Sequence, residues 1–195
     1  MPVMSALEGA FCRSTPWQLF ARRTVLPWAL DGRELAGDVL EIGGGSGAMA
    51  DGVARLFPRA RVTMTDLDAD MVAEARRRLA PHGNVAVEQA DVTALPFEDA
   101  SFDVVTSYLM LHHVVAWRTA LAEGARVLRP GGVLVGYDLT DTRLARVVHR
   151  LDGSPHELLS ASDLGDCLVG AGLAVDSLRV SAGGHLMRFA AHRPG

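Results

Sequence analysis

Val39-Leu40-Glu41-Ile42-Gly43-Gly44-Gly45-Ser46-Gly47 is the stretch on which the fold reading turns. Residues 38–42 form a short apolar, β-branched run that reads as a buried strand. Glycines follow at once, and then a helical pattern with Met49, Val53 and Leu56 on one face, ended by Pro58. A glycine loop between a strand and a helix lets backbone approach a ligand closely, because glycine has no Cβ. It also presents the unbonded N–H groups of the helix start. The loop alone leaves the ligand open. Gly43-x-Gly45-x-x-Ala48, with Asp66 about 20 residues further on to hold a ribose, also fits a dinucleotide fingerprint.

Working outward, residues 61–65 read as a second strand and 69–79 as a helix with Val72, Ala75 and Leu79 at helical spacing. Residues 84–87 and 101–108 read as the third and fourth strands. A helix over about 115–128 places Trp117, Leu121 and Leu128 on one face, Pro130-Gly131 stops it, and 132–138 form a fifth strand. Such alternation needs crossover connections, so the expected architecture is α/β, a parallel sheet with helices on both faces. The end differs: a helix over 162–171, then strands 174–180 and 185–192 joined by Ser181-Ala182-Gly183-Gly184, an antiparallel hairpin. Ahead of the sheet, Thr15-Pro16-Trp17-Gln18 opens a helix running to about Val25. We expect one domain over 1–195: a helical flap (1–35), a ligand-binding core (36–138), a second flap (139–159), and a last helix with hairpin (160–195).

Composition bounds the function. With 195 residues the chain has room for one sizeable core, and 49 % apolar with 22 % charged residues is ordinary for a globular protein. A net charge of −4 gives no basic surface, so no nucleic-acid partner is expected. All 19 basic residues are arginine, which excludes a Walker-type phosphate lysine and a lysine Schiff base. Cys12 and Cys167 are too few for a disulfide scaffold or a zinc framework, and no metal is expected. No basic-then-apolar leader opens the sequence, and no apolar run reaches the ~18 residues of a membrane span, so the expected location is cytoplasmic.

Three acids then separate the ligands. Glu41 stands two residues before the first glycine, where it would repel a pyrophosphate but suits a ligand carrying an ammonium and a sulfonium. Asp66 ends the second strand, where two oxygens can accept both ribose hydroxyls. Asp91 follows the third strand, placed to accept from an adenine amine. Three carboxylates at three successive strand ends lie on one edge of the sheet, the edge where open α/β sheets bind ligands.

These segments resemble the class I S-adenosylmethionine-dependent methyltransferases, in the style of the small-molecule, quinone-biosynthesis branch. Residues 39–47, 62–68 (Val-Thr-Met-Thr-Asp-Leu-Asp), 89–97 (Gln-Ala-Asp-Val-Thr-Ala-Leu-Pro-Phe), 101–105, 111–114 (Leu-His-His-Val) and 126–132 (Arg-Val-Leu-Arg-Pro-Gly-Gly) carry the resemblance, in the family's order. It implies a Rossmann-like seven-stranded sheet, order 3-2-1-4-5-7-6, with strand 7 antiparallel. It also implies S-adenosyl-L-methionine as cofactor. Glu41 and the backbone of Gly43, Gly45 and Gly47 would surround its methionine part, Asp66 its ribose, and Leu67, Asp91 and Val92 its adenine, with Ser107 near the methionine end. The family more often has aspartate at the position of Glu41 and cysteine or another small residue at Gly44.

The acceptor is less legible. A positively charged sulfur is an activated leaving group, so the protein mainly aligns a nucleophile and excludes water. A base is needed only if the acceptor loses a proton during transfer, and His112 or His113 after the fourth strand would serve. Tyr108, Tyr137, Asp138 and His149 are candidates to line the acceptor site. The Asn/Asp-Pro-Pro-Tyr motif of DNA and glutamine methylation is absent, Ser107-Tyr108-Leu109-Met110 standing in its place, and two cysteines are too few for arsenite methylation. Trp17, Phe20, Trp28, Leu144, Val147 and Val148 in the flaps suggest an apolar small-molecule acceptor. Two rivals remain: a cofactor-holding regulatory module without turnover, and an NAD(P)-dependent dehydrogenase, against which stand Glu41, Asp91 and the lack of a Tyr-x-x-x-Lys pair.

Overall fold

The computed structural model describes residues 15–143, 146, 157–181 and 183–195, with backbone alone at 15, 17 and 18. Seven strands form one sheet: β1 (Gly37–Ile42), β2 (Ala60–Asp66), β3 (Val85–Gln89), β4 (Phe102–Tyr108), β5 (Leu128–Leu139), β6 (Ala174–Ser181) and β7 (Leu186–His192). Their order is β3-β2-β1-β4-β5-β7-β6. The pairs among β1 to β5 are parallel, and β7 runs antiparallel between β5 and β6. The sheet order and the reversed strand are those the resemblance implied.

Helices cover both faces. One face packs Leu40, Ile42, Val105, Leu134 and Phe189 against α5 (Trp117–Val127) and α6 (Ala161–Gly170). The other packs Val39, Met64, Val104, Val135 and Ala190 against the N-terminal helices, α3 (Ala48–Leu56) and α4 (Ala69–Leu79). Strand alternation explains the division, since consecutive residues of a strand point to opposite faces. Local caps set two of the helix starts. Asp68 accepts from the backbone N–H of Asp70 and Met71, and Ser160 from that of Asp163. At the point where the order reverses, β1 lies beside β4, and the ends of both strands open on the same edge.

Two expectations need correction. The N-terminal helix does not stop near Val25: α1 (Thr15–Phe20) passes through a π-helical turn (Ala21–Val25) into α2 (Leu26–Leu30). Pro27 has no N–H for a regular helical bond. The wider turn just before it, closed by Leu26 N–H on the Ala21 carbonyl, carries the helix into the proline. The fifth strand begins at Leu128, not at 132, because Leu128 already pairs with Phe102 before the irregularity at Pro130-Gly131. The 139–159 flap lies largely outside the described residues, and so do Cys12, Leu144, Val147 and Val148.

One glycine fixes the spacing of the two central strands. A Cβ on Gly136 of β5 would stand 1.9 Å from the Ser107 carbonyl oxygen and 3.0 Å from the Phe189 ring. Backbone oxygen cannot yield as a flexible side chain can. Gly136→Ala is expected to destabilise the fold by about 3 kcal/mol, lowering the melting temperature by roughly 10 °C. A melt within 2 °C of wild type, a bound set at about the effect of a surface change, would contradict this packing.

Candidate functional site

The glycine loop joins β1 to α3 with left-handed backbone at Gly43 (φ +62°), Gly45 (+56°) and Gly47 (+80°). Two contacts tie it to β2: Gly44 N–H donates to the Thr65 carbonyl and Gly45 N–H to Asp66 Oδ2, at 2.9 and 2.8 Å. The glycines differ in what surrounds them. A Cβ at Gly43, Gly44 or Gly47 would collide with Met110, Met64 or Leu79, whereas nothing lies within 4 Å of one at Gly45. The first three let the loop pack downward; Gly45 faces open space.

Beneath the loop lies Glu41, 1 % exposed, with no hydrogen-bond partner on either carboxylate oxygen. A Cβ on Gly44 would come within 2.8 Å of its Oε1, so the carboxylate reaches the underside of the loop. Burial pushes the Glu41 carboxyl up to about 8; nearby Asp66 pushes the same way, and the Ala50 N–H offsets part of it. Tyr108 at the end of β4 shares this side of the sheet, because Glu41 pairs with Thr106 and Tyr108 is two residues further along. Its hydroxyl is likewise buried without a partner. Burial first, and then Glu41, hold its phenol well above the ordinary range, with the Thr106 hydroxyl nearby pulling the other way. Buried polar groups are nearly always hydrogen-bonded, so orphans gathered at the ends of β1 and β4 make this edge the candidate site.

Asp66 ends β2 beside this cluster. Its Oδ2 accepts from Gly45 N–H and its Oδ1 from Asp68 N–H at 2.9 Å, so both oxygens are already engaged with backbone. A carboxylate has about four lone-pair sites, which leaves capacity for a further donor. Burial raises this group as well, against the amides of Asp68, Gly45 and Leu67. Leu67 next to it is 40 % exposed and offers an apolar face. Asp91 Oδ1 accepts from the Thr93 amide and hydroxyl at 2.8 and 2.6 Å, closing a local turn. Val92 is buried in the α5–α6 side of the core. Ser107 pairs with Ile42 and therefore points to the opposite face from Glu41, with its hydroxyl buried and unpartnered. The structure thus gathers Glu41, Gly43–Gly47, Asp66 and Tyr108, and leaves the Ser107 side chain apart.

The turn after β4 holds the histidines. His112 Nδ1 lies 2.5 Å from Asp138 Oδ1, and both side chains are buried. Asp138, expected as a group lining the acceptor site, is 0 % exposed. Its Oδ1 also accepts from Leu139 N–H and its Oδ2 from Leu111 N–H, each at 2.7 Å. It orients His112 instead, since a carboxylate on Nδ1 fixes the ring and favours the tautomer with Nε2 as the basic nitrogen. His113 stacks on His112 with ring centroids 4.0 Å apart. Tyr137 pairs with Tyr108 across β5 and β4, and its ring meets Tyr108 at 6.1 Å and Trp28 edge-on at 5.5 Å. His149 lies outside the described residues.

Two features escaped the sequence reading. Arg188 of β7 donates to the Trp28 carbonyl and pairs with Asp31, each at 2.9 Å, latching the N-terminal helices over Tyr137. Asp138 and His112 stand 26 residues apart with no local motif to join them. Adjacency of the β4 and β5 ends was the available signal for that pair. Among the described residues no three His, Cys, Asp or Glu side chains could hold a metal ion together, and no helix is long and apolar enough to cross a membrane.

Comparison with known proteins fits this geometry. A family model described as "Methyltransferase domain" matches residues 40–136. The ubiquinone/menaquinone biosynthesis C-methyltransferase of Desulfotalea psychrophila is 40 % identical over 105 residues, 54 % of this chain and 42 % of that protein. The malonyl-[acyl-carrier protein] O-methyltransferase of Hahella chejuensis is 36 % identical over 143 residues, 70 % of this chain and 50 % of that one. The chain thus spans about half the length of these relatives. A crystallised SAM-dependent methyltransferase from Aquifex aeolicus shares the fold, with a TM-score of 0.74 at 22 % identity over 95 % of this chain and 96 % of that one.

Proposed function

The chain belongs to the class I methyltransferase family, and from that premise we propose that it transfers the methyl group of S-adenosylmethionine to a small, apolar acceptor. The observation that carries the reading is the buried Glu41 carboxyl with both oxygens unpartnered beneath an open glycine loop. A pyrophosphate would bring only acceptors and further negative charge to this acid, whereas an ammonium brings the donors and the positive charge that its ionised form needs.

When bound, the cofactor supplies a methyl group on a positively charged sulfur, already activated for displacement. Glu41 would hold its ammonium, and the backbone of Gly43, Gly45 and Gly47 would admit its amino-acid arm. Asp66 would accept from the ribose with its remaining capacity, Leu67 would lie against the adenine, and Asp91 would accept from the adenine amine with Oδ2. Tyr137 and Trp28 would wall the acceptor side, excluding water and aligning an apolar molecule. His112, aimed by Asp138, would take a proton at Nε2 from an acceptor that must lose one. The two relatives are named for transfer to carbon and to oxygen, which supports a small-molecule acceptor and leaves its accepting atom open.

Calorimetric titration with S-adenosylmethionine, S-adenosylhomocysteine and NADH tests the donor. Both adenosyl ligands are expected to bind at micromolar concentrations and NADH not to bind; binding of NADH alone would sink the reading. Incubation of a metabolite extract with isotopically labelled donor, followed by mass spectrometry, identifies the acceptor. Cofactor binding with no labelled product across broad extracts would favour a regulatory module.

A further inference from the structure

Glu41 and Tyr108 reach the same side of the sheet from neighbouring parallel strands, and three of their polar atoms, both carboxylate oxygens and the phenol Oη, are buried without a well-formed hydrogen bond, the nearest groups being the Ala50 amide and the Thr106 hydroxyl. A lone carboxylate in such a place is far more costly than a neutral carboxyl. Arrival of a cation reverses the order, because an ammonium in contact favours the ionised form and fills its lone pairs. We propose, on the reading that this site takes S-adenosylmethionine, that Glu41 and Tyr108 form one charge-selective subsite: Glu41 is a neutral acid in the ligand-free protein and releases its proton as the ligand's ammonium binds, while the Tyr108 hydroxyl, neutral throughout, completes the contacts of the ligand's amino-acid end.

The step balances simply. The O–H bond of the Glu41 carboxyl breaks, its electron pair stays on the carboxylate, and the proton passes to the buffer. Of the groups facing Glu41, only the Ala50 amide favours its ionised form, and burial outweighs it. Asp66 from the end of β2 adds to the effect of burial, Tyr108 from β4 brings a neutral phenol with Tyr137 of β5 behind it, and α3 offers the Ala50 amide. Gly44 closes the subsite from above, next to Met64. With the Glu41 carboxyl at about 8, about nine-tenths of it is protonated at pH 7. The raised value also sets a sign for stability. The unfolded chain ionises Glu41 in the ordinary carboxylate range, so the ligand-free fold loses stability as the pH climbs from there to about 8.

Calorimetry at pH 7 in phosphate and in Tris, buffers of different ionisation enthalpy, counts the protons. Wild type is expected to release about one proton per S-adenosylmethionine or S-adenosylhomocysteine bound. Glu41→Gln should release none and bind both ligands at least about tenfold more weakly. Its ligand-free form should melt at or above the wild-type temperature at pH 8, which separates weaker binding from loss of fold. Tyr108→Phe should weaken both ligands by about tenfold. It should leave 5′-methylthioadenosine, which lacks the amino-acid arm, unchanged and bound without proton release. Equal proton counts for wild type and Glu41→Gln overturn the proposal while the cofactor reading stands, and unchanged affinity in Tyr108→Phe removes Tyr108 from it. Failure of both adenosyl ligands to bind wild type overturns the cofactor reading itself, and this inference with it.

Discussion

Gly45→Arg will lower the affinity for S-adenosylmethionine by at least about a hundredfold and leave the fold standing. The glycine loop offers four positions for such a test, and only this one separates binding from folding. A side chain at Gly43, Gly44 or Gly47 would drive into Met110, Met64 or Leu79, so loss of binding there would be read through a damaged core. At Gly45 nothing lies within 4 Å of the added Cβ. The φ of +56° makes a side chain there cost about 1–2 kcal/mol of strain, which a domain of this size tolerates. The amide of residue 45 keeps its bond to Asp66 Oδ2. The arginine then fills the space above the loop, where the ligand would have to enter. Calorimetry with a parallel thermal melt checks it. A variant with wild-type affinity and a wild-type melt would mean that the ligand does not cross the loop, and the assignment of Gly43–Gly47 would fail.

The features that were legible in sequence are those set by near neighbours along the chain. The β1–loop–α3 unit follows from an apolar run, glycines and a helical stripe within twenty residues of one another (roughly one supersecondary unit). The reversed last strand was expected from the short glycine linkage before β7, and the sheet order from the family resemblance. What sequence did not show depends on which residues oppose each other across strands. Glu41 and Tyr108 face each other because Glu41 registers with Thr106, an offset that no local pattern carries. Given that register, strand alternation sends Ser107, next to Tyr108 in the chain, to the far face from Glu41. The continuation of the first helix past Val25 rests on the π-helical turn that leads into Pro27, and no local sequence pattern announces such a turn. Asp138 was expected to line the acceptor site from the end of the fifth strand. In the fold it is enclosed by the turn it holds together.

Asp138→Asn is expected to reduce turnover by about 10²–10⁴-fold wherever the acceptor must lose a proton, with a smaller loss of stability. The carboxylate accepts from three N–H groups: Leu139 and His112 at Oδ1, and Leu111 at Oδ2. Asparagine has one accepting oxygen. If that oxygen keeps Leu111, the new amide N–H₂ faces the Leu139 N–H and presents a donor to His112 Nδ1. The ring then takes the other tautomer, with its proton on Nε2, and can no longer receive one there. If the oxygen keeps His112, the N–H of Leu111 is left buried opposite a donor, at a cost of about 1–3 kcal/mol. Either arrangement lowers the melting temperature, so stability alone does not reveal the role. The distinguishing measurement is the pH dependence of kcat with the acceptor found by the labelling screen. A base oriented by Asp138 makes kcat of wild type depend on pH, and the variant loses both the rate and that dependence. A merely structural Asp138 would leave kcat and its pH profile intact in the folded fraction while the melt drops. In that event His112 belongs to the scaffold of the β4–β5 edge, and methyl transfer here proceeds without a base.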